Sequence, residues 1–160
     1  MTKQVTMAAA TAGHAEGGTT LNAFDNALLA AGIGNINLVK VSSILPPDVP
    51  VLDLPKIKPG AIVPTAYAAM TSETPGETIA AAVGYAIPDD PAKNGVIMEF
   101  HGLATKAEAE RQIHLMLEEA FQVRGETIRE RGVVSAEHTV GTRPGCALAA
   151  ITLLADEDLV

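Results

Sequence analysis

Lys40-Val41-Ser42-Ser43-Ile44-Leu45-Pro46-Pro47 is the stretch on which the reading of this chain turns. The preceding run, Asn35-Ile36-Asn37-Leu38-Val39-Lys40-Val41, has the apolar density of a largely buried strand, so the serines fall where a strand leaves its sheet. Pro46 and Pro47 have a fixed φ and no N–H, and Pro46 drives Leu45 toward an extended conformation. The backbone around Ser42 and Ser43 is therefore held. Adjacent serines are ordinarily a solvated turn. A held peptide bond with a hydroxyl beside it is also a possible reaction site.

A chain of 160 residues is expected to form one domain, burying roughly 70% of its extended surface. Apolar residues make up 48%, but aromatics only 3%, and tryptophan is absent. Ala, Val, Ile and Leu must fill the core, which favours thin, closely packed layers. The net charge of −8 and pI near 4.9 argue against nucleic acid or an anionic membrane as partner, since both need clustered Lys and Arg. The same charge is compatible with a small cationic substrate. Cys146 stands alone, which excludes a disulfide framework and a thiolate metal site. The first residues lack the pattern of a signal peptide, and no run reaches the ~18 apolar residues of a membrane span. The expectation is a cytoplasmic protein.

Working outward, residues 3 to 12 read as a first strand and Gly13-His14-Ala15-Glu16-Gly17-Gly18 as a flexible loop. Thr20 is placed to cap a helix over Leu21–Ala31 that ends at Gly32, with Leu21, Phe24, Leu28 and Ala31 as its apolar stripe. Asp25 beside that stripe is either a boundary residue paired with a cation or a ligand-facing acid. Pro46 to Pro59 reads as a semi-rigid connection, and 60–70 as a strand in which Pro64 marks an edge or bulge. Ile79, Ala81, Val83, Tyr85 and Ile87 alternate with Ala80, Ala82, Gly84 and Ala86. The tiny face of that strand must press on a second sheet or a neighbouring subunit. Glu99 is the odd residue on the apolar strand 96–101; a buried carboxylate there is paired, neutralised by a raised pKa, or used.

Thr105 and Glu108 form a capping box that opens a helix over 106–124, ending at Gly125, with Ile113, Met116, Leu117, Ala120 and Val123 inward. Strands near 127–140 and 145–154 follow, and the tail Asp156-Glu157-Asp158 reads as solvated. About six strands and two widely separated helices, each needing a sheet face to cover, fit an α/β fold: a layered α-β-β-α sandwich.

Other motifs fail. His14, His101, His114 and His138 show no metal spacing, so no metal site is expected. Glu137-His138 is better read as structural pairing than as acid–base chemistry. The serines lack the glycines of a G-x-S-x-G elbow, and Gly32-Ile33-Gly34 precedes a strand where a phosphate loop would open a helix.

Leu21-Asn22-Ala23-Phe24-Asp25, Gly32-Ile33-Gly34-Asn35-Ile36-Asn37-Leu38, Val41-Ser42-Ser43-Ile44-Leu45-Pro46-Pro47, Val63-Pro64-Thr65-Ala66-Tyr67, Pro75-Gly76-Glu77-Thr78-Ile79, Ile97-Met98-Glu99 and Glu137-His138-Thr139-Val140 together resemble the pyruvoyl-dependent arginine decarboxylases, in that family's order from about residue 20 to 150. The resemblance implies a proenzyme, one domain over residues 1–160, that cuts itself between Ser42 and Ser43. The products are a β chain, 1–42, and an α chain, 43–160, headed by a covalent pyruvoyl group derived from Ser43. That group would form an imine with the substrate amine and accept electrons as carbon dioxide leaves, the role pyridoxal phosphate plays elsewhere, so no pyridoxal phosphate and no metal is needed. The implied reaction is L-arginine to agmatine, with Glu99 as proton donor and with Asp25 and Asn37 contacting substrate. Asn37 lies six strand residues from Ser43, roughly 20 Å at about 3.3 Å per residue, which calls for a neighbouring subunit. The resemblance accordingly implies a homo-oligomer, a trimer or multiple of trimers, with active sites between subunits. The alternatives are the same chemistry on another amino acid, or a non-catalytic relative acting as an oligomeric binding protein.

Overall fold

The apolar run Gly145–Leu154 is buried at every position, and the architecture follows from the need to cover it. The computed structural model describes residues 3–160. Its elements in chain order are β1 (Met7–Glu16), α1 (Thr20–Ala30), β2 (Asn37–Lys40), β3 (Ile44–Leu45), β4 (Val51–Leu52), β5 (Ile62–Ser72), β6 (Thr78–Pro88), β7 (Gly95–Leu103), α2 (Lys106–Arg124), β8 (Ile128–Thr139) and β9 (Gly145–Leu154), then a 3-10 turn at Asp156–Asp158. The strands form two sheets, ordered β2-β5-β9-β1-β4 and β3-β7-β6-β8. β9 is central, antiparallel to β1 and β5. A strand paired on both edges and covered on both faces has no place for a polar alternation. On one face, Ala147, Ala149 and Ile151 join Ile79, Ala81 and Val83 of the other sheet. On the opposite face, Cys146, Leu148 and Ala150 pack with Ala23, Ala27 and Leu28 of α1.

The helix ends obey local rules. Thr19, one residue before the expected cap, accepts from the Asn22 N–H at 3.1 Å, and Gly32 follows the helix with φ +81°. Thr105 and Glu108 form the reciprocal capping box of α2, closed by Gly125 at φ +67°. The inward faces differ from expectation at single positions. In α1 they are Ala23, Ala27 and Leu28, while Leu21 is 74% exposed; in α2 Phe121 turns inward and Val123 outward. Small residues line the buried face of α1 because the helix lies almost on the sheet backbone.

Gly13 is what permits that approach. It lies in β1, whose pairing with β9 runs through Glu16, and is not part of a flexible loop. A Cβ at Gly13 would sit 2.8 Å from both Ala27 O and Ala31 N. The tiny face of β6 serves the second helix in the same way: Ala80, Ala82 and Ala86 cluster with Ile113, Leu117 and Phe121 of α2, where a second sheet or neighbouring subunit was expected. A Cβ at Gly84 would stand 2.3 Å from Ile113 Cγ2.

Three further expectations are corrected. β2 is an edge strand, parallel to β5, with Leu38 half-buried and Asn37, Val39 and Lys40 exposed, not a largely buried strand. Asp158 in the tail is buried, with Lys3 Nζ 2.6 Å away and the Ala155 N–H donating to it at 2.8 Å. The proline-rich connection carries β4, which pairs parallel with β1 through Ala8 and Val51.

His14 of β1 and His138 of β8 meet across the sheets, Nδ1 to Nδ1 at 3.0 Å. His138 Nε2 is buried without a hydrogen-bond partner among the described residues. Burial, and then the charge of His14, push the His138 pKa down, opposed by Glu16. Below the ordinary histidine value of about 6.5, the unfolded chain takes up a proton that folded His138 resists, so stability falls as pH falls through that range. The melting temperature is expected to drop between pH 7.5 and 5.5, and to drop less in His138→Asn. Gly13→Ala is expected to cost about 1–3 kcal/mol by forcing α1 off the sheet, read as a lower denaturant midpoint.

Candidate active site

β2 belongs to one sheet and β3 to the other, so the chain crosses between sheets over residues 41–43. The crossing is tied at both ends. The Val41 N–H donates to Thr65 O at 3.3 Å, continuing the β2 ladder, and the Ile97 N–H donates to Ser43 O at 2.9 Å, ahead of the Ile44–Val96 pair. Between these ties Ser43 adopts φ +77°, the left-handed region. For a serine this costs on the order of 1–3 kcal/mol and persists only where the surroundings impose it.

The Ser43 hydroxyl donates to Glu99 Oε1. Glu99 lies two residues beyond Ile97 on β7, so one strand supplies both the N–H that holds the Ser43 carbonyl and the carboxylate that meets its hydroxyl. Glu99 Oε2 is 3.4 Å from Lys40 Nζ, and that ammonium lies 4.9 Å from the centroid of the Tyr67 ring. Glu99 is thus a paired carboxylate, and its side chain is 18% exposed. An open cleft of about 330 Å³ is lined by Ser42, Ser43, Met98, Glu99 and Arg124, the scale of a small-ligand site.

The other residues singled out in the sequence lie elsewhere. Asp25 is exposed on the outer face of α1, one turn from each of the exposed Leu21 and Leu29. Asn37 is exposed on β2, its Nδ2 donating to Gly60 O at 3.1 Å. Neither lines the cleft that holds Ser43 in its own chain. Glu137 accepts from the Lys106 N–H at 2.8 Å, satisfying a free donor at the start of α2, and His138 meets His14. Among the described residues no cluster of three or more metal-ligating side chains occurs. Burial pushes the Cys146 thiol up to about 12, which keeps it inert.

Lys40 and Arg124 escaped the sequence reading. A lysine on an exposed strand is ordinarily an edge-protecting residue, and nothing local links it to a glutamate on another sheet. Arg124 closes the last turn of α2, where a cation complements the helix dipole, so its place at the cleft has no separate signature.

At Ser43 the hydroxyl is partnered by a carboxylate, and the backbone is strained and clamped. The chain matches the family model described as pyruvoyl-dependent arginine decarboxylase over residues 7–158, a longer span than the one carried by its motifs. It is 49% identical over 142 residues to the pyruvoyl-dependent arginine decarboxylase of Methanocaldococcus jannaschii, covering 89% of this chain and 86% of that protein. It is 50% identical over 145 residues to that of Thermococcus sibiricus, covering 89% and 91%. Among solved structures, a pyruvoyl-dependent histidine decarboxylase superposes with a TM-score of 0.52 at 17% identity, over 61% of this chain and 52% of that one, a likeness of fold. This chain belongs to the pyruvoyl-dependent arginine decarboxylase family.

Proposed function

We propose that this protein is a self-cleaving decarboxylase that converts L-arginine to agmatine and carbon dioxide with a pyruvoyl group made from Ser43. The observation that carries the reading is the Ser43 hydroxyl seated on the Glu99 carboxylate at a strained, doubly tied crossing. In the cleavage, Ser43 Oγ attacks the carbonyl carbon of Ser42 and the peptide C–N bond breaks, leaving an ester. Elimination then removes the Ser43 Cα proton to solvent and breaks the Cβ–O bond, so that 1–42 ends in a carboxylate and residue 43 becomes dehydroalanine. Water supplies the ketone oxygen and ammonia leaves, giving pyruvoyl at the head of 43–160. Glu99 is placed to take the hydroxyl proton, positioning makes the attack effective, and cleavage releases the strain held at Ser43.

The pyruvoyl carbonyl supplies an electron-withdrawing centre conjugated to the substrate amine. Glu99, already beside position 43, holds the proton delivered to the substrate α-carbon. A guanidinium calls for a carboxylate able to accept two parallel N–H bonds, and Asp25 is assigned that role. Because Asp25 and Asn37 stand outside their own chain's cleft, we assign both to the cleft of a neighbouring subunit, in a trimer or multiple of trimers. The exposed apolar residues near them, Leu21, Leu29, Val39 and Ile62, support burial against another copy. Packing of α1 on one sheet and α2 on the other supports a four-layer α-β-β-α order within one domain. The acidic composition and single inert cysteine support a cytoplasmic setting; no described helix is long and apolar enough to cross a membrane.

Denaturing mass spectrometry of the purified protein tests the cleavage: fragments 1–42 and 43–160 are expected, the larger headed by pyruvoyl, with Ser43→Ala remaining one inactive chain. A wild-type chain that stays whole overturns the reading and favours a non-catalytic oligomer. Decarboxylation of arginine, ornithine, lysine and histidine, assayed side by side, is expected to favour arginine. In Asp25→Asn the kcat/KM for arginine is expected to fall about 100-fold, within the range for losing one partner of a buried charge pair. An unchanged preference for arginine removes Asp25 from that role.

A further inference from the structure

Among the described residues, Lys40 is the cation paired with Glu99, and its place is set from two directions. The β2–β5 register puts Lys40 opposite Thr65, and the Tyr67 ring lies 4.9 Å from its ammonium. Its Nζ meets Glu99 Oε2 while the Ser43 hydroxyl meets Oε1, so each carboxylate oxygen has its own partner. The lysine side chain is 54% exposed, and an ion pair so solvated contributes little to stability. The consequence of the contact is orientation: with Oε2 tethered, Oε1 is turned onto Ser43 Oγ.

We propose that Lys40 is a positioning residue for self-cleavage, acting through Glu99. This rests on the cleavage reading above. As the bond from Ser43 Oγ to the Ser42 carbonyl carbon forms, the hydroxyl proton passes to Glu99 Oε1. It is returned to the departing amide nitrogen as the C–N bond breaks, and Lys40 keeps its protons throughout. The pair also links the two sheets at the point where the chain crosses between them, since Lys40 is on β2 and Glu99 on β7.

The test follows freshly translated, pulse-labelled full-length chain as it divides into 1–42 and 43–160. The variants are Lys40→Met, Lys40→Arg, Glu99→Gln and the Lys40→Met/Glu99→Gln double. Lys40→Met is expected to slow division by about tenfold or more, as misplacing a reacting group does. Lys40→Arg, which keeps the charge and can still donate to Glu99 Oε2, is expected to restore most of the rate. The double variant is expected to divide no more slowly than Glu99→Gln alone, because residues acting through one another are not additive. Division of Lys40→Met at the wild-type rate overturns the proposal, as does failure of Lys40→Arg to rescue, or an equal slowing by Lys40→Met in the Glu99→Gln background. Glu99→Gln dividing as fast as wild type also overturns it, yet leaves the decarboxylase reading standing; that reading fails separately if the wild-type chain never divides.

Discussion

The passage of the chain from one sheet to the other within residues 41–43 is the constraint on which the site depends. The Val41 N–H is committed to Thr65 and the Ser43 carbonyl to Ile97, so neither end relaxes toward the other. The residue between these anchors that absorbs the geometry is Ser43, at φ +77°, with its hydroxyl against Glu99. Strain, clamp and carboxylate therefore share one physical origin. A tight crossover is imposed by strands that are already paired on both sides.

That arrangement also shows why a cut at this point is compatible with the fold. Residues upstream of Ser43 supply β1, α1 and β2, all of which belong to the five-stranded sheet or lie against it. β1 sits between β9 and β4, held by a ten-residue ladder to β9. Downstream, β3 is held by β7 in the other sheet. Dividing the chain between Ser42 and Ser43 leaves each side attached by hydrogen bonds and burial that do not pass through the broken bond.

Small residues make the frame rigid enough for this. Gly13 and the alanines at 23, 27 and 31 seat α1 on the first sheet; Ala80, Ala82, Ala86 and Gly84 seat α2 on the second. Interiors packed this closely transmit small displacements with little slack. Glu99, on β7 beside β6, is held by the same packing. The near absence of aromatic residues, visible in the composition, is thus the counterpart of layers that meet almost backbone to backbone.

Contiguous signals were readable because their physics is local. The capping box at Thr105 and Glu108, the left-handed glycines at 32 and 125 and the buried run of β9 each depend on residues within one turn or one strand. Gly13 was misread, since a glycine that makes room for a helix and one that frees a loop look alike in one dimension. The same holds for the small face of β6, whose neighbour proved to be α2, and for β2, whose apolar content concealed an exposed edge. Sequence alone determined the two helices with their ends and the longer strands. Only the tertiary structure decided that Glu99 meets Ser43 and Lys40, and that Asp25 and Asn37 lie apart from them. The reason is that such meetings are set by strand register and by which strand falls at a sheet edge, and the whole core fixes both at once.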